Sequence, residues 1–190
     1  VLPPLKIRTF AVELHRSSVH KASPAGAAPP VHDTNQRPEL FAWDSGVGGQ
    51  RSIHNLANYP GLTTLACFGW PPVPAFVAAA HSRGIKVVRA TGVNDTRILT
   101  AVHRAAYIDE LVSSVRDAGA DGLNIDEESY GGPPEHFTAF IRGLKTALPP
   151  SDTLSMAMPA LPINPMYKQI GYRTGLNYTE LGSVADYLVV

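Results

Sequence analysis

The segment Asp-Gly-Leu-Asn-Ile-Asp-Glu-Glu, residues 121–128, carries the residue types best suited to chemistry in this chain. Apolar residues alternate there with Asn124, Asp126 and Glu128, which is the period-two pattern of a strand. The three polar side chains are therefore predicted to project from one face. An amide and two carboxylates in a row cost desolvation energy unless they have partners or bind something polar. The strand is predicted to serve catalysis or polar-ligand binding.

Three interpretations fit the acidic pair Asp126 and Glu128. Their carboxyls lie about 6.5–7 Å apart along a strand. Like-charge repulsion at that distance raises one pKa, which suits an acid that protonates the leaving oxygen of a glycoside. Carboxylate and amide oxygens also bind divalent cations, although no EF-hand pattern is present. A structural network with Arg89 or Arg97 is the third alternative. Spacing alone leaves all three open.

Short apolar runs alternate with helical stretches from residue 39 onward. Strands are predicted at 39–43, 62–68, 86–90, 122–128, 154–158 and 186–190, and helices at 74–82, 102–118, 134–148 and 178–184. This alternation is typical of parallel strands with right-handed crossovers. An open doubly wound sheet and a (β/α) barrel both fit. The barrel is favoured because polar groups at the carboxyl end of a strand line a barrel mouth. The predicted fold class is therefore α/β, a (β/α)8 TIM barrel with only about the first six strands in this chain.

The composition narrows the range of partners. Lys plus Arg and Asp plus Glu both number 16, so the formal net charge is zero. No basic stripe or polybasic helix is present, and we expect neither nucleic acid nor a membrane surface as partner. The seven histidines show no metal-ligand spacing, and none is assigned to catalysis. Proline-rich residues 1–38 are predicted to be an N-terminal extension, and residues 39–190 the partial barrel.

The acidic segment resembles the signature of glycoside hydrolase family 18, the chitinase-like family, which reads Asp-Gly-x-Asp-x-Asp-x-Glu. Asp121, Gly122, Asp126 and Glu128 match it. Asn124 stands at the middle Asp, a trait of the di-N-acetylchitobiase branch. Further segments are similar to that branch: 41–44, 63–69, 80–88, 177–179 and 185–190. The resemblance covers roughly residues 39–190 and implies a TIM-barrel hydrolase without a cofactor.

The resemblance also implies a role for each residue of the signature. Glu128 would protonate the glycosidic oxygen and later activate water, while the substrate's own 2-acetamido group attacks the anomeric carbon. Asp126 would orient that acetamide and stabilise the positive intermediate. Asn124 would hydrogen-bond Asp126. Asp121 and Gly122 would hold the local structure.

Sugar faces pack on aromatic or thioether side chains, and three such residues are candidates for the substrate subsite. Phe68 lies at the end of the second predicted strand, Met158 on the fifth and Trp43 on the first. The alternative for each residue is that it only packs in the hydrophobic core. The implied function is hydrolysis of β-1,4-linked N-acetylglucosamine in chitobiose-type oligosaccharides or N-glycan cores. The alternative is a catalytically inactive chitinase-like protein that binds carbohydrate or serves a structural role.

The family's remaining barrel strands have no counterpart before Val190. A tyrosine of the family's sixth strand, which helps to hold the acetamide, would follow that residue. We therefore expect either a remaining C-terminal segment or another chain to complete the barrel, or an inactive relative. The resemblance and two glycosylation sequons, at Asn94 and Asn177, favour a lysosomal or secreted location.

Overall fold

The computed structural model describes residues 39–44, 56, 60–69, 71–127, 130–158 and 176–189. Within these ranges six strands alternate with five helices: β1 Phe41–Asp44, β2 Thr64–Phe68, α1 Pro74–His81, β3 Lys86–Thr91, α2 Asp95–Ile98, α3 Ala101–Ala118, β4 Gly122–Asp126, α4 Pro134–Ala147, β5 Thr153–Ala157, α5 Tyr178–Val184 and β6 Tyr187–Val189. The predicted extension, residues 1–38, lies outside the described residues. No described helix is long and apolar enough to span a bilayer.

All six strands are parallel and stand in the sheet in the order of the sequence, from β1 to β6. A doubly wound sheet reverses its strand order at a switch point, whereas a barrel adds each strand beside the last. The sequential order therefore confirms the predicted fold class, and the described sheet is a six-stranded half-barrel.

The two faces of the sheet bury different side chains. On one face, two large hydrophobic clusters join the strands to the helices. The other face carries a small cluster of Phe41, Ala66, Val88 and Ala90. We call this second face the concave face. Successive side chains alternate between faces, so β4 presents Leu123 and Ile125 to the helices and its polar residues to the concave face.

Helix boundaries follow signals that are visible in the sequence. Helices α1 and α4 each have a proline in their first turn, where its missing N–H costs nothing. The hydroxyl of Thr100 accepts a hydrogen bond from the His103 N–H at 3.3 Å and caps α3. Gly119 ends that helix with φ 67°, a left-handed conformation that glycine adopts without strain.

Several predicted boundaries differ from the observed ones by one or two residues. Strand β4 ends at Asp126 rather than at residue 128, and β5 ends at Ala157 rather than at Met158. The short helix α2 was not predicted, because four residues are too few to show a helical period.

The same pair of hydrogen bonds occurs at three places along the amino-terminal edge of the sheet. The residue just before each of β2, β4 and β6 makes two hydrogen bonds to a single residue near the start of the neighbouring strand β1, β3 or β5. Its backbone N–H donates to that residue's carbonyl, and its side-chain oxygen accepts from that residue's N–H. These residues, which we call the edge clamps, are Thr63, Asp121 and Asp186. Their N–H groups donate to the carbonyls of Leu40, Val87 and Leu154 at 3.0, 2.7 and 2.8 Å. Their side-chain oxygens accept from the same three residues' N–H groups at 2.8, 2.7 and 2.8 Å.

The two aspartate clamps also hold a helix. His81 Nε2, at the end of α1, lies 2.8 Å from Asp121 Oδ2. Lys145 Nζ, in the last turn of α4, lies 2.7 Å from Asp186 Oδ2. In each case the helix is the one that leads into the odd-numbered strand. Each clamp therefore joins a helix to two neighbouring strands.

Candidate functional site

Strand β4 positions the polar residues of the predicted site. Asn124 is wholly buried and Asp126 is half-buried, and both belong to the concave face by alternation. Asp126 is the last residue of the strand, so it lies at the carboxyl-terminal edge, where barrel active sites form. Glu128 lies outside the described residues, and its assignment as the catalytic acid stays a prediction.

The glycine of the signature has a packing reason. Gly122 adopts φ 141°, and a Cβ built there would lie 2.0 Å from the Thr153 carbonyl oxygen. The backbones of β4 and β5 therefore approach more closely than any side chain would allow. Its neighbour Asp121 forms the edge clamp at the start of the same strand.

Both ends of the Asn124 amide are hydrogen-bonded. Its Oδ1 accepts from Trp43 Nε1 at 3.2 Å, a contact between β4 and β1 across the concave face. Its Nδ2 donates to Ser155 Oγ on β5 at 2.9 Å. The Ser155 hydroxyl donates to the Leu123 carbonyl oxygen at 3.5 Å, and its register partner on β6 is Tyr187. A buried amide needs such partners to offset its desolvation.

Tyr187 carries these contacts on to Glu39, just before β1. The Tyr187 hydroxyl donates to Glu39 Oε1 at 3.4 Å, and the Thr64 hydroxyl donates to the same oxygen at 2.6 Å. Burial raises the pKa of Tyr187 well above its usual range, the Glu39 charge adds to that, and the nearby Ser155 hydroxyl opposes it. We call this series the concave polar chain; its members are Trp43, Asn124, Ser155, Tyr187, Glu39 and Thr64.

The three candidates for the sugar subsite lie in different surroundings. Phe68 is 38% exposed and shares a register row with Ala90 and Asn124, so it belongs to the concave face. Trp43 hydrogen-bonds Asn124 and packs edge-on against Phe41 at 4.7 Å between ring centroids. Met158 is only 5% exposed and packs in the helix-side core. The structure therefore brings Phe68 and Trp43 to the concave face with Asn124, but not Met158.

The two arginines proposed as structural partners of the acids both contact α3. Arg89 leaves the opposite face of β3 from Val88 and Ala90, and its guanidinium donates to Ser114; burial lowers the pKa of Arg89. Arg97 forms an ion pair with Glu110 at 2.8 Å and lies 4.1 Å over the Tyr107 ring. Among the described residues, no group of three His, Cys, Asp or Glu is placed to hold a metal ion.

Sequence reasoning missed four members of the concave polar chain: Glu39, Thr64, Ser155 and Tyr187. A signal for Ser155 was present, because it lies in the middle of a five-residue apolar strand where the buried face should be aliphatic. Its register partners are Asn124 and Tyr187, and that pairing becomes visible only once the sheet is formed. The arrangement as a whole fixes a neutral amide below a carboxylate at the mouth edge of β4.

Comparison with known proteins shows the fold. No family model matches the sequence, and no curated protein does. Among solved structures, a chitinase from Bacteroides thetaiotaomicron superposes with a TM-score of 0.59 at 18% identity, covering 78% of this chain and 51% of that one. A chitinase from Chromobacterium violaceum gives 0.54 at 21% identity, with 78% and 53% covered. The spore cortex-lytic enzyme SleL from Bacillus cereus gives 0.59 at 18% identity, with 78% and 39% covered.

The chain spans about half the length of these chitinases. At such low identity the similarity establishes the architecture and no residue's role. The chain is thus structurally similar to glycoside hydrolase family 18 chitinases and to spore glycosylases, over a half-barrel of six parallel strands.

Proposed function

We propose that this chain belongs to a hydrolase of β-1,4-linked N-acetylglucosamine, acting on chitobiose-type oligosaccharides or N-glycan cores in the manner of the di-N-acetylchitobiase branch. One observation carries the proposal. Asn124 and Asp126 follow each other on the concave face and end at the carboxyl edge of β4, in a fold shared with chitinases. Parallel barrels place their catalytic groups at that edge.

In this mechanism Glu128 is the general acid that protonates the glycosidic oxygen and the base that later activates water. The 2-acetamido oxygen of the substrate attacks the anomeric carbon, so the configuration is retained through two inversions. Asp126 orients the acetamide and stabilises the positive charge on the cyclic intermediate. Asn124 supports it from below: because its amide is neutral, it adds no like charge to that of Asp126.

Three further parts of the proposal concern surroundings. Phe68, half-exposed on the concave face, is proposed to pack on a sugar ring. Asn94 and Asn177, the acceptors of the two sequons, are both exposed, which supports a lysosomal or secreted location. A further segment or another chain is proposed to complete the barrel beyond β6.

The test is release of N-acetylglucosamine from chitobiose-type substrates across pH 3–8, with Glu128→Gln beside the wild type. General acid catalysis contributes about 10²–10⁴-fold, so we expect a loss of that size. Glu135→Gln is the control, since Glu135 is an exposed carboxylate in the first turn of α4 and its loss should leave the rate unchanged. A loss below tenfold in Glu128→Gln contradicts the assignment. Tight oligosaccharide binding by the wild type without turnover supports a carbohydrate-binding protein instead.

A further inference from the structure

The two ends of the concave polar chain have fixed hydrogen-bonding character. The indole N–H of Trp43 can only donate. At the other end, the Glu39 carboxylate accepts, and two hydroxyls donate to the same oxygen, from Thr64 at 2.6 Å and from Tyr187 at 3.4 Å. One end of the chain can only donate and the other end accepts. Each residue between them must therefore accept from the Trp43 side and donate toward the Glu39 side, or leave the chain.

The middle of the chain obeys that direction. Tyr187 donates its single O–H to Glu39 at 3.4 Å, so it has no hydrogen left to donate to Ser155, its register partner on β5. The Ser155 hydroxyl donates its single hydrogen to the Leu123 carbonyl oxygen at 3.5 Å and not to Asn124. Ser155 therefore presents a lone pair to Asn124. The amide must then turn its NH2 to Ser155 and its oxygen to Trp43, as the two contacts show.

We infer that Trp43 and Ser155 are positioning residues that demand a hydrogen-bond donor at the Ser155-facing end of residue 124, and so select an amide over an ionised carboxylate there. The catalytic meaning of this inference rests on the proposed function. In that setting Trp43 acts through Asn124 and does not touch the sugar.

A protonated carboxyl also satisfies the demand. In Asn124→Asp the neutral acid could accept from Trp43 with one oxygen and donate to Ser155 with its O–H. The ionised form offers only acceptors, in a position that is 0% exposed. Burial therefore raises the pKa of the introduced carboxyl above its unfolded value. Stability contributed by the neutral form is fully present at low pH and is lost as the pH rises through that raised pKa.

The other charges on the concave face act in the same direction or lie far away. The titratable groups on this face of the described strands are Glu39 before β1, Lys86 on β3, Asp126 on β4 and Tyr187 on β6. The two acids add like charge and raise the pKa further. Lys86 is exposed at the opposite, amino-terminal end of its strand, and Tyr187 stays neutral over the range tested because its pKa is raised.

The experiment compares melting temperatures of the wild type and Asn124→Asp between pH 4.5 and 7.5. The variant should melt below the wild type, and we expect this difference in melting temperature to grow by about 3–6 °C as the pH rises from 4.5 to 7.5. A raised carboxyl pKa has an effect of this size in a chain of this length. Asn94→Asp is the matched control at an exposed asparagine, and its difference from the wild type should change by less than about 1 °C. A deficit in Asn124→Asp that does not vary with pH overturns the inference.

A second measurement uses the wild type and does not depend on how the variant folds. The chain has two tryptophans, so a ¹⁵N-labelled sample shows two indole N–H resonances, and Trp43→Phe assigns one. We expect the Trp43 N–H to exchange at least tenfold more slowly than that of free indole. Exchange of Trp43 as fast as free indole overturns the inference. Neither readout needs catalytic activity, so failure of the proposed function remains a separate result.

In an active enzyme a third readout separates positioning from mere stability. The kcat/KM of Asn124→Asp, relative to the wild type, should fall as the pH rises through the same range, at a temperature where both proteins are folded. A constant ratio assigns Asn124 a structural role only.

Discussion

The amino-terminal edge of the sheet and its concave face use hydrogen bonds in different ways. At the edge, one contact recurs at Thr63, Asp121 and Asp186, and each instance joins segments that are 23, 34 and 32 residues apart. On the concave face a single chain of contacts occurs once. Its longest links, from Trp43 to Asn124 and from Tyr187 to Glu39, span 81 and 148 residues.

This difference indicates that the edge and the concave face have different roles. The edge contact recurs with different residue types and always bonds backbone groups. It therefore satisfies backbone groups at the ends of parallel strand pairs in general. A chain of contacts that occurs once, between side chains of five strands, serves a single position. We therefore expect changes at the edge to lower stability with little effect on catalysis, and changes on the concave face to affect catalysis as well as stability.

The largest effect should come from Gly122→Ala, because β4 carries both an edge clamp and the polar residues of the site. The added Cβ would meet the backbone of Thr153 at 2.0 Å, at φ 141°. Strain and overpacking together should cost about 3–5 kcal/mol, measured by urea unfolding. Gly119→Ala is the matched control, since Gly119 also has positive φ but has open space around it, and it should cost about 1 kcal/mol. Equal costs at the two glycines would contradict the close-approach argument.

Removing an aspartate clamp should be the next largest effect. Asp186→Ala leaves the Leu154 N–H without its side-chain acceptor, and a loss of about 1–3 kcal/mol is expected. Asp121→Ala does the same to Val87. Asp186→Asn should recover part of the loss, because an amide oxygen can still accept from the Leu154 N–H. Unfolding free energies and hydrolysis rates would be measured on the same samples, and a fall in kcat/KM without a fall in stability would break the comparison.

Tyr187→Phe should have a smaller effect that depends on pH. Near pH 7 it removes one weak hydrogen bond to Glu39, at a cost of about 1 kcal/mol. Because the pKa of Tyr187 is raised in the folded chain, the wild type has this tyrosine's stabilising contribution below the unfolded pKa near 10 and loses it as the pH rises further. The deficit of Tyr187→Phe should therefore shrink above pH 10 in thermal melts. A deficit that is constant with pH would contradict the direction of the shift.

The smallest effect is expected for His81→Gln. The imidazole contacts Asp121 at 2.8 Å, but the two side chains are 43% and 30% exposed, and exposed ion pairs contribute at most about 1 kcal/mol. A larger loss in urea unfolding would mean that the helix contact, and not the backbone contact, dominates this clamp.

Local patterns in the sequence were enough to predict the sheet. Short, mainly apolar segments predicted β2, β3 and β5, and the period of α3 and its terminal Gly119 predicted that helix to within one residue. Helix α5 was predicted to the residue. Their alternation then required parallel strands, and the polar row of Asn124 and Asp126 favoured a barrel mouth over a doubly wound sheet.

The site was less predictable because its contacts are not local. Nothing near Asn124 in the sequence indicates a partner 81 residues earlier, and Glu39 looked like an ordinary strand residue. Met158 shows a different limit. It was assigned to the subsite before the register was known, and only the pairing of Ser155 with Asn124 shows that Met158 belongs to the other face. The place of Glu128 stays a prediction.

The edge clamps have a consequence for the order in which the protein assembles during synthesis. Each clamp needs only the strand segment before it and the chain that connects the two, so it can close as soon as its own strand has left the ribosome. Chain closure over some 30 residues is entropically cheap compared with closure over a hundred or more. The pairs of strands can thus be secured one after another, from the amino terminus onward. The link from Tyr187 back to Glu39 has to wait for the sixth strand, so the concave face takes its final form only after the scaffold that carries it.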